Sequence, residues 1–353
     1  MSLDRSATVL NFASDNTGPA HPKVIEALAA AAAATEMPYG AEGATARVTE
    51  RLRELLGWPG ASVHLVATGT AGNALALACL SKPWSAIFCH RTAHAQEDEC
   101  NAPEFYTGGA KLVLVDGADG RMTAQTLRAA IDAEETRGVH GPQRGPVTIT
   151  QATEKGTTYA AHEIAALKAE AGALPLHLDG ARVANAVAAS NAPLSEMAAH
   201  VDAITFGGTK NGCLAVEAVA FRDPAPAWEF ELRRKRGAHL FSKHRMLSAQ
   251  MEAYLEGDLW LEMARSANAA CARLAAGLRG IGAELLFEPQ ANMIFARMPR
   301  RAHAAARAAG ALYYVTDGDV AAGDPEEPLT CRLVCDWSCE EARVDALLEA
   351  LAG

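Results

Sequence analysis

The feature that most constrains this chain is a rhythm. Short apolar runs of strand length alternate with stretches of helical character through most of its 353 residues. The runs 62–66, 85–89, 111–115, 146–150, 175–178, 203–206 and 216–221 read as strands, with helices between them at, for example, 71–80, 123–135 and 161–171. Such alternation predicts an α/β fold around a largely parallel sheet. After about residue 257 the rhythm changes. A long amphipathic stretch, 258–278, is followed by strand-like runs at 283–287, 293–297 and 330–335, a turn-rich acidic loop at 317–328, and a closing helix at 340–351. The expected organisation is a large unit, 1–257, and a small C-terminal α+β unit, 258–353.

The formal net charge is −10, with 50% apolar and 21% charged residues. This is an ordinary composition for a soluble globular protein. It argues against a nucleic-acid or membrane-surface role, either of which favours a basic face. An acidic chain that handles an anion must concentrate positive charge locally, which draws attention to the run Arg233, Arg234, Lys235 and Arg236. The N-terminus shows no basic stretch leading into an apolar core, so no signal peptide is expected. The alanine run 29–34 is too short to span a bilayer. The eight cysteines are scattered. Cys331, Cys335 and Cys339 are evenly spaced, but only the first two fit one face of the strand expected there. No histidine lies near enough to complete a zinc pattern. The expectation is a cytoplasmic protein with reduced thiols and no metal site.

Four segments carry chemistry. Lys210 follows a strand and is flanked by Gly207, Gly208 and Gly212, which let the backbone approach a flat ligand. A lysine so held can form an imine with an aldehyde cofactor. Alone, the segment reads more readily as a surface loop. Asp179 closes the run that starts at Leu176. A carboxylate at the end of a buried strand is costly without a cationic partner, and a protonated pyridine nitrogen is such a partner. The alternative is a helix cap. Gly69 and Thr70 open a helix, where free N–H groups favour a phosphate, although many such turns bind nothing. His94 follows the strand that ends at Cys89. Its ring could cover a cofactor and move protons, or it could be purely structural.

The ordered set Ser14–Asp15–Asn16, Tyr39–Gly40, Gly69–Thr70, His94, Asp179 to Arg182, Lys210 and Arg332 resembles the L-threonine aldolases. These are fold-type-I pyridoxal-phosphate enzymes, grouped with the aromatic amino acid β-eliminating lyases. The stretches 93–104, 148–154 and 206–212 resemble their bacterial low-specificity branch. The resemblance implies that Lys210 carries the cofactor as a Schiff base, that Asp179 pairs with the pyridine nitrogen, that Gly69 and Thr70 hold the phosphate and that His94 stacks on the ring. Ser14, Arg182 and Arg332 would hold the substrate carboxylate, since a guanidinium grips a carboxylate in two places. Members of this family act as homodimers or homotetramers. By that resemblance Lys235 and Arg245 would reach the neighbouring subunit's phosphate, and Tyr39 would sit near the shared site.

Two departures from the family pattern bear on mechanism. Many members carry a histidine in an Asn-Thr-His-Asn-Gly stretch; here the matching residues are Thr153, Glu154, Lys155 and Gly156, so Glu154 stands at the histidine's place. An Asp-Asp pair that often follows Tyr-Gly is Ala41 and Glu42 here. The implied reaction is retro-aldol cleavage of an L-β-hydroxy amino acid to glycine and an aldehyde, with His94 or Glu154 taking the hydroxyl proton. The rivals are another pyridoxal reaction, such as β-elimination, transamination or racemisation, and a binding protein that keeps the fold without catalysis.

Overall fold

A computed structural model describes residues 9–353. Seven strands form the main sheet: β1 (Ser62–Val66), β2 (Ser85–His90), β3 (Lys111–Val115), β4 (Gln143–Thr150), β5 (Leu176–Gly180), β6 (Ala203–Gly207) and β7 (Glu217–Phe221). Their spatial order is β1-β7-β6-β5-β4-β2-β3. The block from β6 to β3 is parallel throughout. β7 runs antiparallel to both of its neighbours, so β1 points the same way as the parallel block. The turns after β1, β2, β4, β5 and β6 therefore open on one edge of the sheet.

β2, β5, β6 and β7 are buried at every position. That explains why these segments are largely apolar: helices cover both faces, and the few polar residues among them, such as His177, Asp179 and Glu217, are themselves buried. The helix Gly69–Leu80 is buried at each position from Ala71 to Ala78. Its close seat on the sheet depends on Gly72, where a Cβ would lie 2.5 Å from Thr205 Cγ2. The Thr68 hydroxyl caps this helix by accepting from the Ala71 N–H at 3.2 Å, which fixes where its free N-terminal amides begin.

A second sheet follows, antiparallel, in the order β10-β11-β9-β8. Its strands are β8 (Glu284–Leu285), β9 (Met293–Pro299), β10 (Tyr314–Val315) and β11 (Pro328–Val334). The helix Leu259–Gly280 links the two cores. Its first turns place Trp260 and Met263 in the core of the main sheet, and later turns place Cys271 and Leu274 in the second core. Leu10 and Phe12 also pack into the second core, and Asn11 bridges to Leu312, so the start of the described chain reaches across to the C-terminal sheet. All eight cysteines are free. Cys339 does not fall away from Cys335 as the strand pattern predicts. The chain turns after β11, which puts both thiols in the same core. Among the described residues no helix is long and apolar enough to cross a membrane.

Candidate active site

The carboxyl ends of parallel strands are where α/β folds place their ligands, and the segments singled out in the sequence converge there. A cavity of about 570 Å³ is lined by Ser14, His94, Glu154, Arg182, Lys210 and Arg332, among others. Lys210 sits on a single turn, Thr209–Asn211, just past β6. The turn is tied down from the far side, because Asn211 Nδ2 donates to the Tyr254 hydroxyl at 2.7 Å and to the Trp260 carbonyl at 2.8 Å. Asp179 lies one strand over at the end of β5, 3% exposed. One of its oxygens accepts from the Ala181 N–H at 3.1 Å, and Asp179 lies behind the residues that line the cavity, close to His94.

His94 begins the helix His94–Glu97 and is held from below. Its Nδ1 lies 2.8 Å from Glu99 Oε1, and the same oxygen accepts from Asn73 Nδ2 at 2.8 Å. Burial alone would lower the His94 pKa, but the Glu99 hydrogen bond and the Asp179 charge outweigh it, and the net shift is upward. Burial raises the Glu99 carboxyl despite its two partners. His94, Glu99 and Asp179 present ligand atoms within 4.8 Å of one another, and the His94–Glu99 hydrogen bond already uses two of the three groups.

Arg182 differs from the simple carboxylate clamp expected of it. Its Nε and Nη2 donate to the two oxygens of Asp15 at 2.6 and 3.1 Å, and both side chains are almost wholly buried. Asn292 adds a bond to Asp15 at 3.1 Å. Burial would push the Asp15 carboxyl up; the Arg182 guanidinium and the Lys210 ammonium overcome this and hold it below its ordinary value. Only Nη1 of Arg182 is left for a ligand. It lies 3.7 Å from Glu154 Oε1, and both atoms are buried without a hydrogen-bond partner among the described residues. Arg332, on β11, anchors through Nη2 to the Ala13 carbonyl at 3.0 Å and lies over the Tyr314 ring, 5.0 Å from its centroid. Its Nε is likewise buried and unpaired.

The structure does not bring Tyr39, Lys235 or Arg245 into this cavity. Lys235 Nζ lies 4.8 Å from the centroid of the Tyr39 ring. Arg245 Nε donates to the Ala31 carbonyl at 2.8 Å and lines a separate, alanine-rich cavity of about 630 Å³. Sequence reasoning missed Asp15, Glu99 and Asn73. Asp15 stands inside the motif that begins at Ser14, but its partners Arg182 and Asn292 are far away in the chain; Glu99 lies five residues after His94, a spacing that carries no recognisable pattern.

A pyridoxal group fits what is present. Among the residues that line the cavity, the unpaired buried atoms are two cationic nitrogens and a carboxylate oxygen. Gly69 leaves open space where a Cβ would point, with nothing within 4 Å, and the helix behind it offers unpaired amides to a phosphate. The fold agrees. A serine palmitoyltransferase from S. paucimobilis with bound PLP superposes with a TM-score of 0.67 at 16% identity, covering 97% of this chain and 86% of that one. The chain thus has the fold of the fold-type-I pyridoxal-phosphate enzymes.

The relationship narrows with sequence. The chain is 38% identical over 342 residues to a low specificity L-threonine aldolase of Pseudomonas aeruginosa, covering 95% of each. A threonine aldolase from Leishmania major superposes with a TM-score of 0.89 at 26% identity, over 97% of this chain and 98% of that one. The beta-eliminating lyase family matches residues 11–300, and the chain belongs to that family.

Proposed function

We propose that this chain is a pyridoxal-phosphate-dependent aldolase. It cleaves L-threonine, L-allo-threonine and related β-hydroxy-α-amino acids between Cα and Cβ, giving glycine and an aldehyde. The observation that carries this reading is the meeting, in one cavity, of Lys210 with an unpaired guanidinium nitrogen on each of Arg182 and Arg332 and an unpaired oxygen on Glu154. That set can attach a cofactor, grip an α-carboxylate and receive a proton from the β-substituent.

Gly69, Thr70 and the amides behind them hold the phosphate, and Asp179 offers its carboxylate to the ring nitrogen. When bound, pyridoxal phosphate supplies the electron sink that lets a bond at Cα break. The protein decides which bond. Arg332, anchored on the Ala13 carbonyl, and Nη1 of Arg182 take the substrate carboxylate, with the Ser14 hydroxyl beside them. Fixing the carboxylate fixes the rotation about the α-carbon. Glu154, at the cavity wall next to Arg182, accepts the β-hydroxyl proton, and His94 is the second base within the same cavity. The β-hydroxyl meets no anchor comparable to the two arginines, which supports weak discrimination between threo and allo substrates.

The same reading gives Tyr39, Lys235 and Arg245 a role outside their own cavity: completing the site of a second copy in a homodimer or homotetramer. It also places the protein in the cytoplasm. The test is direct. Purified chain supplied with pyridoxal phosphate is incubated with L-threonine, L-allo-threonine or L-phenylserine. Aldehyde is read by an NADH-coupled assay and glycine by amino-acid analysis. Glycine with acetaldehyde or benzaldehyde is the expected result. Pyruvate and ammonia from serine with no glycine means β-elimination, and cleavage of D-threonine in place of L-threonine overturns the stereochemical assignment.

A further inference from the structure

Behind the turn that carries Lys210 lies a buried acid that the mechanism does not use. Glu217 opens β7, opposite Gly207 of β6 and Val66 of β1, and is 4% exposed. It has no arginine or lysine ion-pair partner within 4.0 Å among the described residues. Instead its Oε2 accepts the Gly208 N–H at 2.9 Å. A buried carboxyl is costly to keep at a sheet edge unless its contacts are specific.

Its surroundings are built for a tight turn. A Cβ on Gly208 would lie 2.8 Å from the Val216 carbonyl, so the residue before Thr209 must be glycine for the two chains to come this close. The Val216 N–H donates to Thr209 Oγ1 at 3.1 Å, and the Cys213 N–H closes on the Gly208 carbonyl at 3.1 Å. The turn 208–213 is therefore held on one side by residues 216 and 217 and on the other by the Asn211 bonds to Tyr254 and Trp260.

We propose that Glu217 is a positioning residue for Lys210: its carboxyl holds the Gly208 N–H and so fixes the turn that carries the lysine. This rests on the reading of Lys210 as the cofactor lysine. The ionisable groups facing Glu217 are Lys210 on the turn, Cys213 just beyond it, and Tyr254 from the helix Arg245–Leu255. Burial holds the Cys213 thiol and the Tyr254 phenol well above their ordinary values, so both are neutral near neutral pH. Burial likewise pushes Glu217 up to about 7, with Thr209, Gly208 and Lys210 pulling the other way.

Glu217 acts through the turn, so its variants test how well the lysine is placed. Glu217→Gln keeps an oxygen to accept from Gly208; Glu217→Met removes it. The experiment loads wild type and both variants with pyridoxal phosphate, measures kcat and KM for L-threonine, and follows the folded fraction by far-UV circular dichroism. The expected result for E217M is a kcat at least about tenfold below wild type, KM changed much less, and partial recovery in E217Q. An E217Q chain no more active than E217M overturns the inference, as does an E217M chain that loses activity only in proportion to its folded fraction. A wild-type chain that takes up no cofactor overturns instead the reading of Lys210 beneath it.

Discussion

Nδ1 of His94 and Oε1 of Glu99 lie 2.8 Å apart, and the Glu99 carboxyl is fully buried beneath the imidazole. A hydrogen bond at one ring nitrogen decides what the other can do. With Glu99 at Nδ1, His94 Nε2 is the atom free to act. The acid also raises the His94 pKa against the opposing effect of burial. Glu99→Gln keeps a hydrogen bond and removes the charge, so the His94 titration should move to lower pH. Imidazole NMR read against pH checks the shift directly. Turnover should fall by about tenfold. An unchanged His94 titration means that Asp179, not Glu99, sets it.

Lys210→Ala removes the amine that the cavity positions for a covalent link. Turnover should be lost, and borohydride treatment should no longer fix pyridoxal phosphate to the chain, as read by intact mass. The fold should persist, because Lys210 forms no salt bridge among the described residues and the turn is held by Asn211. Wild-type rates in this variant would sink the assignment of the site.

Asp179→Asn tests the partner of the ring nitrogen. An amide keeps the bond to the Ala181 N–H but cannot stabilise a positive charge across the cavity. Activity should fall by about a hundredfold or more, with the melting temperature nearly unchanged. Near-normal activity would assign the ring nitrogen to another group.

The strands were the most legible part of the chain. β1 and β3 follow the sequence expectation residue for residue, because each is a short apolar run with clear ends. Lys210 and Asp179 were legible for the same reason, since each closes such a run. What the sequence hid was the support beneath them. Asp15 and Arg182 are far apart in the chain, and nothing in the local pattern around either announces a bidentate pair. Glu217 reads as the ordinary first residue of a strand; only the close approach of β7 to the Lys210 turn gives it a role. Strand β10 was missed because two residues, Tyr314 and Val315, carry too little pattern to stand out.

His177 gives the fold a pH dependence of known sign. It lies on β5, wholly buried, with Nδ1 2.9 Å from the Thr148 hydroxyl and Nε2 3.1 Å from the Thr205 hydroxyl. Burial lowers its pKa from 6.5 to about 4. Between those values the unfolded chain binds more protons than the folded one, so stability rises with pH through this window and is lost as pH falls from the upper value towards the lower. By about pH 5 the loss amounts to roughly 2 kcal/mol. Urea melts across this range should show that slope, and His177→Asn should flatten it without abolishing it, since His244 is also lowered to about 4 by burial. An unaltered slope in the variant would place the acid sensitivity elsewhere.

Glu154 separates two jobs that the cavity could give it. Its Oε1 lies 3.7 Å from Nη1 of Arg182, too far for a hydrogen bond, and neither atom has another partner among the described residues. If the carboxylate only steadies Arg182, its loss weakens the grip on the substrate carboxylate, and KM rises while kcat holds. If it accepts the β-hydroxyl proton, its loss slows bond cleavage, and kcat falls while KM changes little. The geometry favours the second outcome, because Asp15 already holds Arg182 through two bonds and a second anion is not needed for that purpose. Glu154→Gln should therefore lower kcat for L-threonine by about a hundredfold and leave KM within about threefold of wild type. The same variant should still exchange the α-proton of glycine with solvent deuterium, since that step involves no hydroxyl. Loss of exchange in parallel with loss of cleavage would show that Glu154 supports the cofactor or the α-carbon instead of the β-hydroxyl.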